Sequence, residues 1–278
     1  MNITVSLASR GNPLGLQSTI VSCSALASGV HPVRYAIGID EDDPATLEAI
    51  ESLSRKVWGV TPVRGPAPEA LGEALNGLLD AVPGDVCVFL GDRTFILTPR
   101  WDLVIAQALS ATPHGVFWQT HPDLRTSCIF PVISRRWLDA ARPIFTNYFP
   151  FWFDDTWLAE LWLFATGAAP IMLPTHAFRQ AHKTARLRDL EFWYRFFFAL
   201  RPMRIQRGRE IGSRLGLPPV DADRIRVALE RNDAELLSRV PQIEAEYGVP
   251  GTVPDERYLQ AKARAETLLA GHLKSPIR

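Results

Sequence analysis

Polar side chains follow three apolar segments of the sequence, in each case directly after the segment ends. They are the strings SRG at residues 9–11, DEDD at residues 40–43 and GDR at residues 91–93. Carboxylates in such positions can accept hydrogen bonds from a ribose or a base, or they can hold a metal ion. These three strings are therefore the first candidates for a ligand-binding site.

The acidic run after the second segment offers one candidate for ligand contact and two for helix capping. Asp42 and Asp43 precede Pro44, and an Asp before a proline at the first helical position is a typical N-cap. Asp40 belongs to the strand end itself, so we predict ligand contact for Asp40 first. Asp92 follows a glycine that permits close approach of a ligand, although a turn residue is the structural alternative.

A second constellation lies in residues 145–164, a segment with nine aromatic side chains. Asp154 and Asp155 interrupt this apolar run at a predicted helix start, where the helix dipole stabilises negative charge. One of them can cap the helix. The other can act as a general base beside an aromatic wall.

The chain has 30 basic and 30 acidic side chains, but the basic ones are not evenly spread. Residues 179–209 hold nine Lys and Arg against two Asp and Glu. His182, Arg186 and Arg188 lie in this stretch, and imidazole and guanidinium groups suit phosphate oxygens. A solvated surface is the structural alternative.

Short β-branched runs alternate with amphipathic stretches in the first half, a pattern that predicts a doubly wound α/β sheet. The predicted strands are 3–9, 33–40, 56–60, 86–91 and 115–120. The predicted helices are 13–28, 44–54, 68–81, one starting near Pro99, 135–142 and 154–166, with a loop at 61–70. Because ligands bind at the carboxyl ends of strands in open sheets, we expect the strand-end residues to form one site.

Strand signals fade after residue 187, and the remaining segments read as helices broken by Pro and Gly. We therefore predict an α/β domain over 1–186 and a helical C-terminal appendage over 187–278. The N-terminal sequence lacks the pattern of a signal peptide, and no run reaches the ~18–20 apolar residues of a membrane helix, so we expect a cytoplasmic protein. Three widely spaced cysteines indicate neither a disulfide framework nor a zinc site.

The strings ITVSLASRGNP, AIGIDEDDP, GDVCVFLGDR and WFDDTW resemble segments of GT-A fold nucleotide-sugar glycosyltransferases of the family-2-like group. The resemblance covers about residues 3–190. It implies a Rossmann-like, mixed but mostly parallel sheet flanked by helices. It also implies transfer of a sugar from a nucleoside diphosphate, most commonly UDP, to an acceptor hydroxyl with inversion.

The resemblance also implies roles for individual residues. Asp155, or else Asp154, would be the catalytic base, and Asp92 and His182 would be metal ligands. The implied donor-binding residues are Ser9, Arg10, Asp40, Asp42, Asn76, Asp92, Arg93, Arg186 and Arg188.

One departure from the family pattern concerns the metal. The family has a second carboxylate where this chain has Arg93, so two readings stay open: Mn²⁺ or Mg²⁺ held by few protein ligands, or a diphosphate neutralised by Arg93 itself. Three other functions also stay open. They are a non-catalytic binding module, a nucleotidyltransferase, and a transferase acting on nucleic acid through the basic stretch and Trp193.

Overall fold

The structure is a computed structural model that describes residues 1–68, 70–121, 129–150, 153–179, 187–249, 254 and 256–274. The chain divides into two compact units. The sheet unit comprises residues 1–145 and 169–180, and the helical unit comprises residues 146–168 and 181–278. No helix among the described residues is long and apolar enough to cross a membrane. The division at residue 186 stays a prediction.

The sheet unit contains eight strands and five helices among its described residues. In chain order they are β1 (Ile3–Ser9), α1 (Pro13–Leu26), β2 (Val33–Asp40), α2 (Pro44–Ser54), β3 (Val60–Gly65), α3 (Leu71–Ala81), β4 (Val86–Phe89), β5 (Thr94–Ile96), α4 (Trp101–Ala111), β6 (Val116–Thr120), β7 (Pro131–Ser134), α5 (Arg135–Ala141) and β8 (Ile171–Arg179). The helical unit contains α6 (Asp154–Thr166), α7 (Leu190–Ala199), α8 (Arg201–Arg214), α9 (Ala222–Tyr247) and α10 (Glu256–Lys274).

The strand order is β3-β2-β1-β4-β7-β6-β8-β5. The β3-β2-β1-β4 portion is entirely parallel, whereas β7 pairs antiparallel with both of its neighbours and β5 pairs antiparallel with β8. This confirms the predicted mixed, mostly parallel α/β sheet. β4 lies between β1 and β7, and all four of its residues are buried, as its continuous apolar sequence predicts.

The predicted strand at residues 56–60 was wrong, and the predicted loop at 61–70 was wrong in its first half, because β3 occupies Val60–Gly65. Residues 66–68 and 70 do connect β3 to α3, as that prediction said. Pro62 made the segment look like a loop. β3 is an edge strand, paired only with β2, and an edge position tolerates a proline that cannot donate to the ladder. Sequence analysis also missed β5, which has three residues, and β8, whose Pro174 lies at a register irregularity opposite Gln119 and Thr120.

The helical unit is held together by close helix packing and a buried ion network. A Cβ added to Gly208 of α8 would lie 2.5 Å from the Phe164 side chain of α6, so these helices approach as closely as glycine permits. The Nε of Arg204, a fully buried residue, donates to Glu160 at 2.6 Å, and Arg201 binds Asp233 through two hydrogen bonds of 2.8 Å. The network links α6, α8 and α9.

Candidate functional site

The ends of β2, β1 and β4, three adjacent strands, bring the predicted polar residues together. The hydroxyl of Ser9 donates to the Asp92 carboxylate at 2.9 Å. Arg10 donates to Asp40 and forms a two-pronged ion pair with Asp42 at 2.7 Å for each hydrogen bond. The predicted clustering of these strand-end residues is therefore present in the fold.

A tight turn after β1 fixes this arrangement. Gly11 has a φ of +64°, a left-handed conformation that favours glycine, and its N–H donates to Asp43 at 2.7 Å. Asp43 also accepts from the N–H of Thr46 and so caps α2, as the capping alternative predicted. Burial tends to raise the pKa of Asp43, but the hydrogen bonds from Thr46 and Gly11 outweigh it and lower that pKa.

Residues at the start of α1 contact the turn that carries Asp92. The side-chain amide of Asn12 donates to the Asp92 carbonyl at 3.1 Å. A Cβ added to Gly15 would lie 2.6 Å from that same carbonyl, so only glycine lets α1 approach the turn this closely. Sequence analysis missed Asn12 and Gly15, because a lone Asn or Gly at the start of a helix gives no signal of a contact about 80 residues away.

Arg93 lies at the same strand end as Asp92, and its side chain is exposed. Across the described part of the chain, no three His, Cys, Asp or Glu side chains come together as a metal site. Asp92 supplies one carboxylate, which already accepts the Ser9 hydroxyl, and the adjacent residue is cationic. Among the described residues, Asp92 is therefore the one predicted ligand for a divalent cation, because His182 lies outside them.

The other predicted donor-binding residues have different surroundings. Asn76 joins α3 to the segment after α5: its amide donates to the Phe145 carbonyl at 2.8 Å, and its oxygen accepts from the N–H groups of Ile144 and Phe145. Arg188 lies over the ring of Tyr258, 5.5 Å from its centroid. His182 and Arg186 lie outside the described residues. The donor-binding roles of these residues stay predictions.

Asp154 and Asp155 are the first two residues of α6, in the helical unit. Asp154 is buried, and neither carboxylate oxygen has a hydrogen-bond partner among the described residues. Burial raises the pKa of Asp154 well above its usual value, and the charge of Asp155 adds to the effect. Asp155 is only half-buried and accepts from Thr156. Phe153, just before them, has a φ of +73°, which is uncommon for a bulky residue.

The aromatic residues around these acids form the core of the helical unit. The ring centroid of Phe149 lies within 6.3 Å of those of Phe153, Trp157 and Trp193. Trp193 and Phe196 are fully buried, so they offer no stacking surface to a nucleic acid. Arg201 and Arg204 of the basic stretch are also buried, in ion pairs. These contacts weaken the case for a nucleic-acid acceptor.

No protein-family model matches the chain, and no curated protein matches it. Solved structures, in contrast, do match the chain. S. aureus TarS 1–349 in complex with UDP has a TM-score of 0.60 at 13% identity, over 96% of this chain and 83% of that one. Mannosyltransferase PcManGT from Pyrobaculum calidifontis, in complex with GDP-Man and Mn²⁺, has a TM-score of 0.56 at 13% identity, over 99% and 81%.

Glucosyl-3-phosphoglycerate synthase from Mycobacterium tuberculosis, in complex with Mn²⁺, UDP and glucosyl-3-phosphoglycerate, has a TM-score of 0.51 at 18% identity, over 78% of this chain and 81% of that one. Identities this low carry information about fold alone. Together with the observed sheet, they show that this chain has the GT-A fold of nucleotide-sugar glycosyltransferases, as the resemblance in its sequence implied.

Proposed function

We propose that the protein is a glycosyltransferase that moves a sugar from a nucleoside diphosphate to an acceptor hydroxyl, with inversion. The observation that carries the proposal is the meeting of Ser9, Arg10, Asp40 and Asp92 at three adjacent strand ends. Ligands of open α/β sheets bind at this edge. The neighbours solved with UDP or GDP-Man share the fold and support the choice of donor class.

We assign Asp40 and Arg10 to binding of the nucleoside. Hydrogen bonds to Asp40 and Asp42 use three of the guanidinium N–H groups of Arg10, which has five in all. The Arg10 side chain is 41% exposed, so its remaining donors can reach a ligand. Asp40 offers acceptor oxygens for ribose or base N–H and O–H groups.

The departing diphosphate needs positive charge. Arg93 supplies it, because a guanidinium binds phosphate oxygens through charge-assisted hydrogen bonds. Two neighbours were solved with Mn²⁺, and binding of Mn²⁺ by Asp92 and His182 stays a prediction. Because Asp92 is the one predicted metal ligand among the described residues, no step of the reaction is assigned to a cation.

Asp155 takes the acceptor proton. Burial raises the pKa of Asp154 well above its usual value and shields its carboxyl group, so we assign the more accessible, half-buried Asp155 as the base. As the proton moves to Asp155, the acceptor oxygen forms a bond to the anomeric carbon. The bond between that carbon and the diphosphate oxygen breaks, and the leaving electron pair remains on the diphosphate.

Two substitutions at adjacent positions test this assignment. Release of UDP from UDP-sugars is measured for Asp155→Asn and for Asp154→Asn, together with UDP affinity. Removal of a general base costs about 10²- to 10⁴-fold in rate, so we expect that loss for Asp155→Asn with UDP affinity unchanged. Asp154→Asn should keep its activity. Full activity of Asp155→Asn would refute its role, and UDP binding without turnover in the parent protein would favour the binding-module alternative.

A further inference from the structure

The amino edge of the sheet, where the parallel strands begin, exposes two apolar side chains. Trp58 lies in the turn before β3 and is 65% exposed, and Arg34 of β2 lies 5.7 Å from the centroid of its ring. Val30, in the loop before β2, is 63% exposed. Neither Trp58 nor Val30 is buried in the core, so both are available to a partner.

The two loops that carry these residues meet at the start of β2. A Cβ added to Gly59 would lie 3.1 Å from the Val33 carbonyl oxygen and 3.3 Å from the Arg34 Cα. The N–H of Tyr35 donates to the Gly59 carbonyl at 2.8 Å. Val30 precedes Val33 by three residues. The amino-edge patch is the surface formed by Val30, His31, Arg34, Arg55, Lys56 and Trp58.

The amino-edge patch carries positive charge. Arg34, Arg55 and Lys56 form no ion pair within the part of the chain that the structure describes. Residues 1–39 and 52–65 contain no Asp or Glu. The chain as a whole has equal numbers of basic and acidic side chains, so any attraction of an anionic partner to this edge is local.

Three acids lie near the patch, and each already has a partner. They are Asp102, which is buried and accepts from the N–H of Ser28 at 2.8 Å; Asp85, which accepts from the N–H of Asn2 at 2.7 Å; and Glu51, which pairs with Arg64 at 2.8 Å. None of them pairs with a cation of the patch. The three cations are therefore available to an anionic surface.

The combination of side chains indicates which anionic partner fits. Lys and Arg attract anionic lipid headgroups, and tryptophan is enriched at the interface between a membrane and water because its ring is apolar and its N–H is polar. An aliphatic side chain such as Val30 gains nothing from the phosphates of a nucleic acid, whereas it can insert between lipid headgroups. The patch therefore suits a lipid surface better than a nucleic acid.

We propose that the amino-edge patch docks on the surface of an anionic phospholipid bilayer. The three cations contact headgroup phosphates, and Trp58 and Val30 enter the interface. A strand rises about 3.3 Å per residue, so Asp40 at the far end of β2 lies about 20 Å from Arg34. A docked bilayer thus leaves the strand-end nucleotide site open, and docking does not depend on sugar transfer.

Co-sedimentation of the full chain with vesicles measures the docking. Vesicles of phosphatidylcholine are compared with vesicles in which about a third of the lipid is phosphatidylglycerol, and we expect at least about tenfold tighter binding to the anionic ones. Added salt should release the protein, because it shortens the Debye length. Failure of the parent protein to bind anionic vesicles would overturn the inference.

Two double variants test whether the patch is responsible. Each Lys or Arg near an anionic surface contributes about fivefold to binding, so joint Arg55→Gln and Lys56→Gln should weaken it about 25-fold. Joint Arg209→Gln and Arg231→Gln remove the same charge at exposed positions of α8 and α9, and this control should bind like the parent. All four positions are exposed, so the melting temperatures should not change. Equal weakening by both pairs would overturn the inference.

Brominated phospholipid tests the placement of Trp58. Bromine in the acyl chains quenches only tryptophans that contact the bilayer, and Trp101, Trp118 and Trp193 are buried. Trp58→Phe keeps an aromatic ring and so should still bind. We expect the brominated lipid to quench part of the fluorescence of the parent protein, and we expect this quenching to be lost in Trp58→Phe. Equal quenching of both proteins would contradict insertion of Trp58.

A DNA duplex and UDP complete the test. Tighter binding to the duplex than to anionic vesicles, with the same dependence on Arg55 and Lys56, would overturn the choice of a bilayer. UDP should bind equally well with and without vesicles, and loss of UDP binding on vesicles would contradict docking by the amino edge. If UDP binds under neither condition, the donor assignment fails, while vesicle binding that depends on the patch would still support the docking.

Discussion

The buried ion network predicts that Glu160→Gln destabilises the helical unit far more than any exposed charge substitution does. Glu160 accepts from Arg204 at 2.6 Å and lies 3.6 Å from Arg201. Arg204 is fully buried, and burial lowers its pKa to about 10, whereas the neighbouring Glu160 carboxylate favours its charged form. Removing that carboxylate breaks the ion pair of Arg204, whereas Arg201 keeps its pair with Asp233.

The expected loss in the free energy of unfolding follows from the burial of this ion pair. Breaking a buried ion pair by removing one partner typically costs about 3–5 kcal/mol. Arg204 keeps its hydrogen bond to the Phe197 carbonyl and its stacking at 3.7 Å on the Phe197 ring, so we expect a loss near the lower end of that range, about 3 kcal/mol. Asp233→Asn should cost about 1–2 kcal/mol, because the Asp233 side chain is 18% exposed and water can partly replace it.

Urea unfolding followed by tryptophan fluorescence measures these losses. Trp157, Trp162 and Trp193 report on the helical unit. Glu191→Gln is the matched control, since Glu191 forms a Glu–Arg pair with Arg195 in which both side chains are about 60% exposed. We expect Glu191→Gln to lower the free energy of unfolding by less than about 0.5 kcal/mol. Equal losses for Glu160→Gln and Glu191→Gln would refute the view that burial makes this network a main stabilising feature.

Three more predictions concern the strand ends and α6. Gly15→Ala places a Cβ 2.6 Å from the Asp92 carbonyl, so it should lower the free energy of unfolding by about 1–3 kcal/mol and weaken UDP binding. Gly77→Ala is the control, because Gly77 has open space around it, and it should stabilise α3 by up to about 1 kcal/mol. Asp154 has a raised pKa when folded, so the free energy of unfolding falls as pH rises from its unfolded pKa of 3.8 to its folded pKa. The stability advantage of Asp154→Asn over the parent should therefore grow as pH rises above about 4, by at most about 1.4 kcal/mol per pH unit, and a constant difference in urea titrations would contradict this. Arg93→Asp should weaken UDP binding in EDTA and make UDP binding depend on Mn²⁺, as measured by calorimetry. UDP affinities equal to those of the parent protein in both conditions would exclude Arg93 from diphosphate binding.

The sequence was most informative where local chemistry decides the structure. Asp43 before Pro44 predicted the cap of α2, and continuous apolar character predicted that β4 is central. The sequence failed where a partner distant in the chain decides it. Pro62 is accommodated because β3 lies at the sheet edge, which no local pattern reveals. Glu160 and Arg204 are 44 residues apart, and each alone looks like an ordinary surface charge on an amphipathic helix.

The candidate site follows the same rule. The strand-end positions of Ser9, Arg10, Asp40 and Asp92 could be read from periodicity, because parallel strands bring their carboxyl ends to one edge. The pairing of Arg10 with Asp42, in contrast, depends on the register between β1 and β2, where Ser9 lies opposite Ile39. An ion pair between side chains in two different loops produces no periodic pattern of hydrophobic residues in the sequence.

The most direct test of the account is calorimetric titration of UDP and GDP into the parent protein and into Arg10→Met, each with EDTA and with Mn²⁺. A nucleotide that binds only the folded state also raises the melting temperature, which provides an independent check. We predict that one of the two nucleotides binds the parent protein, and that Arg10→Met weakens it by about tenfold or more. Absence of binding by both nucleotides under both conditions would contradict a donor site at the strand ends.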